Sequence, residues 1–567
     1  MSGAGGGVAR SWYLGLSTSG HDPALAICDE TGTIRFAEAT ERFVQDKRAW
    51  GIAPDHVPHL SAALAACGAD PTCERIVVGT SWATTKAAVD VNVHDAMLPA
   101  SDTVWMRGVQ AERQRSAGAS LGRLGVSPKR TVRYDFEHHL CHAAAAAYFA
   151  PVENALCLIL DGEGDVGAVS LYRMNERRIG RLWRSWGPGS LGTFYAWLTG
   201  RCGFDWRLGE EWKVMGLAAS GAVNPELLAH LSALLTVDRG RLRFAPDEAI
   251  AAVDAQTRRF ARSPGDPVDC AADLAATGQA AYAAFADQIV AAIAAEGDED
   301  LILSGGCALN SSYNGTIAGR TGFARVHIPP APADDGNAIG AALLAFMADR
   351  GVDRIPSGDG AADLGTAVGP TAAAKLRHAA QAFQVESVEG RSAEAVATRL
   401  AAGKVIGVMR GRAEFGPRAL GFRSILADPR GAAMKDRINN EIKGRETFRP
   451  FAPMLPERKV ADWFQRPQRS PYMSMALPWR PGAETMVPAV VHGDGTGRLQ
   501  TVADKGSPWL AALLSAFERE SGVPITLNTS FNVMGKPIVH SLEDALAVLS
   551  TTGLDGVLCD EHLVLKP

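Results

Sequence analysis

The run Trp12-Tyr13-Leu14-Gly15-Leu16-Ser17 is followed by a small polar turn, Thr18-Ser19-Gly20-His21-Asp22, and by a second apolar run, Ala24 to Cys28. A turn at Asp29-Glu30-Thr31-Gly32 leads into Ile34-Arg35-Phe36-Ala37, and Thr40-Glu41-Arg42 opens a helix. Short apolar runs bounded by Gly, Ser and Asp read as buried strands. A second opening of the same kind begins near Ala155, where Leu156-Cys157-Leu158-Ile159-Leu160 ends in Asp161-Gly162-Glu163-Gly164-Asp165. One unit met twice points to two related halves.

Strand, glycine turn, strand, turn, strand is how each half of an actin-like ATPase begins, with the first turn approaching a phosphate or a metal. A third run, Leu301-Ile302-Leu303-Ser304, enters Gly305-Gly306 and reaches Asn310. Glycines there let backbone N–H groups approach a phosphate. Asp334-Asp335-Gly336 precedes a helix of small residues, Ala338 to Ala348. Residues 355–371, rich in Gly, Ala, Pro and Asp, read as a linker. Beyond them lie a helix (about Ala393 to Ala402) and the strand Val405 to Met409. The strand Pro524 to Leu527, the run Asn528-Thr529-Ser530-Phe531-Asn532 and a helix from Ser541 close the chain. A chain of 567 residues exceeds one ordinary domain, and two α/β domains of unequal size are expected.

Lys and Arg number 57 against 62 Asp and Glu, a net charge of −5, so binding to nucleic acid is not expected and any phosphate chemistry falls to local basic clusters. The nine cysteines form no C-x-x-C pair and read as reduced and intracellular. Cys141 reads as a small buried residue in preference to a soft metal ligand. Met1 to Arg10 lacks the apolar core of a signal peptide, and no stretch approaches a membrane span. A cytoplasmic protein with no membrane partner is expected.

His138 and His142, in Glu137-His138-His139-Leu140-Cys141-His142-Ala143, stand one helical turn apart at the mouth of an alanine run. That spacing puts both imidazoles on one face, with Cβ atoms roughly 5–6 Å apart, where they can grip one divalent metal. Asp161, at the end of a strand, adds a carboxylate. A basic block carries Arg410, Arg412, Arg418, Arg423, Arg430, Lys435, Arg437, Lys443, Arg445 and Arg449, broken by Gly416-Pro417, Gly421 and Pro429. Mostly positive and interleaved with Phe415, Leu420 and Ile425, it suits an anion pocket, since guanidinium forks match phosphate oxygens. Lys213 could meet a phosphate, and Gly216 could let a nucleotide lie on the backbone. His21, in the first turn, is a candidate general base.

Taken together, these segments resemble the O-carbamoyltransferases of antibiotic and nodulation-factor biosynthesis over nearly the whole chain. The likeness is carried by Gly20-His21-Asp22, Glu41-Arg42-Phe43 with Lys47, Glu137 to Ala143, Asp161-Gly162, Lys213 to Ala218, Ser304 to Asn310 and Asp334-Asp335-Gly336. In the second part it is carried by Glu414 to Ser424, Phe448 to Pro453 and Asn528 to Asn532. The resemblance implies a duplicated actin-like ATPase domain (residues 1–355), similar to the tRNA-threonylcarbamoylation protein. A linker (356–385) and a smaller YrdC-like twisted open α/β domain (386–567) would follow.

The same resemblance implies that the second domain makes carbamoyl-adenylate from carbamoyl phosphate and ATP with Mg2+. The first domain would pass the carbamoyl group to a hydroxyl, and length and second-domain detail are most similar to members acting on aminoglycosides such as tobramycin and kanamycin. His138, His142, Asp161 and Asp334 would hold a divalent metal, Fe2+ or Mn2+ in its place. Lys47, Arg418, Lys443, Arg449, Arg498, Asn528 and Ser530 would line the carbamoyl phosphate and ATP pocket. Gly305, Gly306 and Asn310 would face nucleotide in the first domain. Catalytic roles would fall to His21, Arg418 and Lys443. The chain departs from the family pattern at Gln45, where a basic residue is common. Asp22, Glu163, Asp165 and Glu211 are candidate contacts for a polyamine acceptor. Three other readings stand beside this one: a hydrogenase-maturation carbamoyltransferase, whose acylphosphatase domain and C-x-x-C motifs are missing here; a sugar kinase; and a nucleotide-dependent scaffold.

Overall fold

The structure is a computed structural model, and it describes residues 10–83, 97–186, 188–369 and 372–567. Most of the N-terminal tail Met1 to Arg10 lies outside the described residues. Strands β1 (Ser11–Leu16), β2 (Ala24–Cys28) and β3 (Ile34–Ala39) form an antiparallel meander. On the other side of β1, β4 (Arg75–Thr80) and β5 (Thr131–Asp135) add in parallel, giving the order β3-β2-β1-β4-β5.

A second sheet repeats this plan. β6 (Ala155–Leu160), β7 (Val169–Asn175) and β8 (Arg178–Arg184) form its meander. A separate hairpin of β9 (Leu235–Asp238) and β10 (Arg241–Phe244) intervenes. β11 (Asp300–Ser304) and β12 (Arg325–His327) then add in parallel, giving β12-β11-β6-β7-β8. Order and strand sense match the first sheet one for one. The two expected halves are therefore present, each built on the same α/β plan.

Every residue of β1 and of β6 is buried, as a central strand covered on both faces requires. Helix Asn337–Arg350 lies on β1, β2 and β4, helix His138–Phe149 lies on β6 and β11, and the two helices pack on each other. Their approach is set by missing side chains. A Cβ at Gly15 would stand 1.9 Å from the Ala338 carbonyl oxygen, and one at Gly340 would stand 1.9 Å from that of Cys141. The buried alanines Ala143 to Ala147 complete this thin layer.

The C-terminal part is one mixed sheet of nine strands. In chain order they are β13 (Gln384–Ser387), β14 (Ile406–Met409), β15 (Arg423–Ala427), β16 (Ala452–Pro456), β17 (Met475–Pro478), β18 (Thr496–Val502), β19 (Thr526–Ser530), β20 (Gly556–Cys559) and β21 (His562–Leu565). The spatial order is β13-β21-β20-β14-β15-β19-β16-β18-β17. Helices Ser392–Ala401 and Pro508–Ser521 pack on each other over the apolar face of Ile406, Val408, Leu426 and Met454. The strand expected at Pro524 to Leu527 begins instead at Thr526 and runs to Ser530, because β15 and β16 on either side of it pair with Thr526 to Ser530.

The linker segment is not a free tether. Ala37 N–H donates to the Leu364 carbonyl at 2.9 Å, and Arg423 donates to that of Thr366 at 2.9 Å, so the segment is strung between the N- and C-terminal parts. It also contains the helix Ala372–Ala379 and the first residues of β13. None of the nine cysteines is in a disulfide. Among the described residues no helix is long and apolar enough to cross a membrane.

Candidate active site

The carboxyl ends of β1, β4, β6 and β11 meet the N-termini of the helices His138–Phe149 and Asn337–Arg350. Ligands in open α/β sheets gather at such strand ends. His138 and His142 share one face of their helix, with ring centroids 4.8 Å apart. Asp161 follows β6 directly, and Asp334 lies just ahead of the second helix. One donor atom from each of His138, His142, Asp161 and Asp334 falls within 4.8 Å of all the others, and all four side chains are buried. The Asp161 carboxylate is 3.2 Å from His138 Nε2 and 3.3 Å from His142 Nε2, and that of Asp334 is 3.4 and 3.6 Å away.

The surrounding groups aim these donors. His138 Nδ1 lies 3.2 Å from the Ser81 carbonyl oxygen, which selects the tautomer with Nδ1–H and leaves the Nε2 lone pair facing the cluster. Its backbone N–H donates to Asp165 Oδ2 at 2.5 Å. Asp161 Oδ1 accepts from the N–H groups of Gly162 (2.8 Å) and Gly306 (2.9 Å), so Oδ2 is the oxygen turned to the histidines. Burial opposes charge on both imidazoles, yet the two carboxylates outweigh it and hold His138 and His142 above the usual histidine range. Two imidazoles and two carboxylates, pre-placed around one point, fit a divalent ion.

His21 lies beside this group, its Nδ1 2.9 Å from Asp22 Oδ2 and 3.6 Å from Asp334 Oδ2. Arg48 grips Asp22 at 3.0 Å, and with the His21 contact it overrides burial and holds Asp22 far below the usual carboxylate range. Cys141 is fully buried against the second helix and contributes no donor to the cluster. Asp335, the next residue, is pushed up to about 7 by burial and by Asp22 and Glu41 and is not part of the group of four.

The second concentration of charge lies in the C-terminal sheet, against the helix Glu211–Ala218. Lys443 is 2 % exposed and donates to Ser530 and to Asn532 Oδ1 (2.7 Å). Arg449 stacks its guanidinium 3.8 Å above the ring centroid of Trp212, and Arg418 reaches the Leu309 carbonyl at 3.5 Å. Burial alone pushes Arg418 down to about 10; burial with Arg449 pushes Arg445 to about 9. Arg498 is driven down by burial, Arg418 and Arg445, and its Nε has no hydrogen-bond partner. The nearby acids are already engaged: Glu446 with Arg449 (3.2 Å) and Lys213 (3.4 Å), and Glu210 with Lys213 (2.6 Å). Buried cations in excess of acids need an anion, and phosphate oxygens supply one.

Lys47 is 5.8 Å from the Trp212 ring centroid and so borders this pocket. Gly216 faces Pro450 and Phe448 at 3.6 and 3.8 Å from an added Cβ. Other sequence candidates are spent within the fold. The Gly306 N–H serves Asp161, Gly305 (φ +90°) packs under the Leu160 carbonyl, and Asn310 caps helix Ser311–Arg320 and pairs with Gln279. Asn528 donates to Ala419 O and Gln500 Oε1. Asp22 is held by Arg48 at 3.0 Å, and Asp165 accepts from the His138 N–H. Gln45 donates to the Ile538 carbonyl at 3.1 Å, bridging the two parts of the chain. Sequence reasoning missed Trp212 as the face under Arg449, and Asn337, whose Nδ2 lies 3.3 Å from His138. An Asn at the head of a small-residue helix carries no motif.

A family model described as carbamoyltransferase N-terminus matches residues 12–343, and one described as carbamoyltransferase C-terminus matches 397–566. The nodulation protein NolNO of Sinorhizobium fredii is 36 % identical, over 76 % of this chain and 63 % of its own length. The nodulation protein NolO of Bradyrhizobium diazoefficiens is 35 % identical, over 76 % and 78 %. The 3'-hydroxymethylcephem-O-carbamoyltransferase of Amycolatopsis lactamdurans is 31 % identical, over 74 % and 78 %.

Proposed function

The chain belongs to the carbamoyltransferase family, and from that premise we propose an ATP-dependent O-carbamoyltransferase that forms carbamoyl-adenylate from carbamoyl phosphate and ATP and esterifies a hydroxyl of an antibiotic, an aminoglycoside. The observation that carries the reading is the buried set Arg418, Lys443, Arg445, Arg449 and Arg498, whose charge exceeds that of the acids around it. A nucleotide with carbamoyl phosphate supplies the missing negative charge: water releases phosphate from carbamoyl phosphate to leave carbamate, the carbamate oxygen bonds to the α-phosphorus of ATP as the bond to pyrophosphate breaks, and the guanidinium forks stabilise the charge that develops on the leaving pyrophosphate. We assign this step to residues 386–567, a YrdC-like unit, using Mg2+ with ATP.

The second step belongs to the His–Asp cluster. A divalent ion there, Fe2+ or Mn2+, would act as a Lewis acid toward the carbamoyl oxygen. His21 takes the proton of the acceptor hydroxyl, with Asp22 orienting its Nδ1 and Arg48 holding Asp22, the arrangement of an oriented general base. The acceptor oxygen bonds to the carbamoyl carbon, the bond from that carbon to the adenylate oxygen breaks, and AMP leaves.

The test separates the two steps. Wild type is expected to release pyrophosphate from ATP only with carbamoyl phosphate present, and to yield an ester on kanamycin by mass spectrometry. Lys443→Ala abolishes pyrophosphate release; His138→Ala keeps it and loses the ester. Histidine variants that lose adenylate formation yet still transfer from supplied adenylate would refute the division.

A further inference from the structure

Arg449 is held in place without spending the donors that an anion would use. Its guanidinium carbon lies 3.8 Å from the ring centroid of Trp212. Among the described residues only its Nη1 is bonded, to Glu446 at 3.2 Å, and its buried Nε has no partner. A guanidinium fixed by acids gives up its N–H edge to them. One laid on an indole is held through its face, and the edge stays free for two oxygens of a phosphate. Trp212 is itself well placed to hold it. Its helix, Glu211–Ala218, buries Val214 and Leu217 and packs on the long helix Ala272–Ala294. Just beyond it, a Cβ at Gly221 would stand 2.0 Å from the Ala272 carbonyl oxygen, so the two are in backbone contact.

Packing does not account for this indole. Trp212 joins none of the apolar clusters among the described residues, although Val214 and Leu217 of the same helix do. Cations surround it instead: Arg449 from the C-terminal part, and Lys47 and Lys213 from the N-terminal part, 5.8 and 5.9 Å from its centroid. The negative face of an indole is what lets like charges gather at one place. Two further contacts cross between the parts here, from Lys213 to Glu446 at 3.4 Å and from Arg418 to the Leu309 carbonyl at 3.5 Å. We infer that Trp212 is a positioning residue for the activation step: it aims the free edge of Arg449 at the anion, so the N-terminal part completes a pocket whose cations come mainly from residues 386–567. The inference rests on the reading of the basic set as the activation pocket and deepens it.

The experiment uses the full chain with inorganic pyrophosphate as probe, its binding read by calorimetry. Trp212→Leu fills space and removes the π face; Trp212→Phe keeps a smaller face. The Kd for pyrophosphate is expected to rise about tenfold with leucine and about threefold with phenylalanine, the scale of a desolvated cation–π contact. Arg449→Met supplies a second background. There Trp212→Leu should change Kd by less than about twofold, because the group it acts through is already gone, whereas a merely structural tryptophan would cost both backgrounds alike. Unchanged Kd in both Trp212 variants overturns the inference. So does a further tenfold loss in the Arg449→Met background, a phenylalanine variant no better than the leucine one, or a wild type that binds no pyrophosphate. A cooperative melt reports an intact fold; should the leucine variant lack one, the phenylalanine variant decides alone, and its unchanged Kd overturns the inference. The expected binding pattern without carbamoyl-phosphate-dependent pyrophosphate release from ATP sustains the placement of Arg449 and overturns the proposed function instead.

Discussion

Arg498 is buried with a guanidinium Nε that bonds to nothing, and its neighbours Arg418 and Arg445 carry its own sign. Replacing a buried, uncompensated charge with an apolar group of similar length removes its desolvation penalty. Arg498→Met should therefore raise the melting temperature of the ligand-free protein and abolish carbamoyl-phosphate-dependent pyrophosphate release; a lowered melting temperature would show the charge to be paired after all. Lys443 yields a second prediction. Burial, Arg445 and Arg449 push its ammonium well below the usual lysine range, so the free protein gives up this proton early as pH rises. An anion in the pocket restores the charge, so ATP binding takes up a proton and weakens as pH climbs. Calorimetric titrations of ATP in buffers of different ionisation enthalpy should read that uptake; none in Lys443→Met and none in wild type would remove the lysine from the site.

At the scale of elements, the cluster depends on how closely two helices approach. A Cβ at Gly340 would lie 1.9 Å from the Cys141 carbonyl, inside the helix that carries His138 and His142, so Gly340→Ala must part the helices. Overpacking of this kind costs about 1–3 kcal/mol, and here it also separates Asp334 from the histidines. A lower melting temperature together with loss of Mn2+ binding in equilibrium dialysis is expected; retained Mn2+ affinity would mean that the four ligands do not depend on this contact. The cluster was legible in the sequence in part: His138 and His142 from helical spacing and Asp161 from a strand that ends in glycines, Asp334 only through the family resemblance. Strands β1, β2, β3, β6 and β11 were legible because short apolar runs end in turn residues. Asn337 and Trp212 were not, because each acts through a contact distant in sequence. The excursion of β19 through Asn528-Thr529-Ser530 was hidden for the same reason, since only pairing with β15 and β16 makes those polar residues a strand. The tethering of 356–385 was masked by a composition that reads as loop.

Over the whole molecule, the joint between the first sheet and the C-terminal part carries buried charge. Arg42, 3 % exposed, donates to the Gly416 carbonyl at 2.5 Å and stands 3.9 Å from Glu414. Glu38, at the end of β3 and 2 % exposed, is the nearer thing to a keystone. Its carboxylate meets His59 Nε2 at 3.0 Å from the helix Val57–Ala66, Thr366 N–H at 3.0 Å from the connecting segment, and His540 Nε2 at 3.3 Å from the C-terminal part. Burial would raise its pKa, but His540 and His59 outweigh burial and hold it well below the usual 4.5. A carboxyl depressed in the folded state contributes stability that is fully present above its unfolded pKa and is lost as pH falls through the folded one. The joint should thus hold from neutral pH down to about 4.5 and weaken below it. Glu38→Gln removes the ionisation and leaves a buried amide beside two imidazoles, so it should lower the melting temperature at pH 7. The gap to wild type should narrow as pH drops from 4.5 toward the depressed folded pKa, because over that window the unfolded chain takes up a proton at Glu38 that the folded protein still resists. Melting curves of both proteins from pH 7 to pH 3 read this directly; a gap that stays constant across the window would remove the Glu38 charge from the stability of the joint.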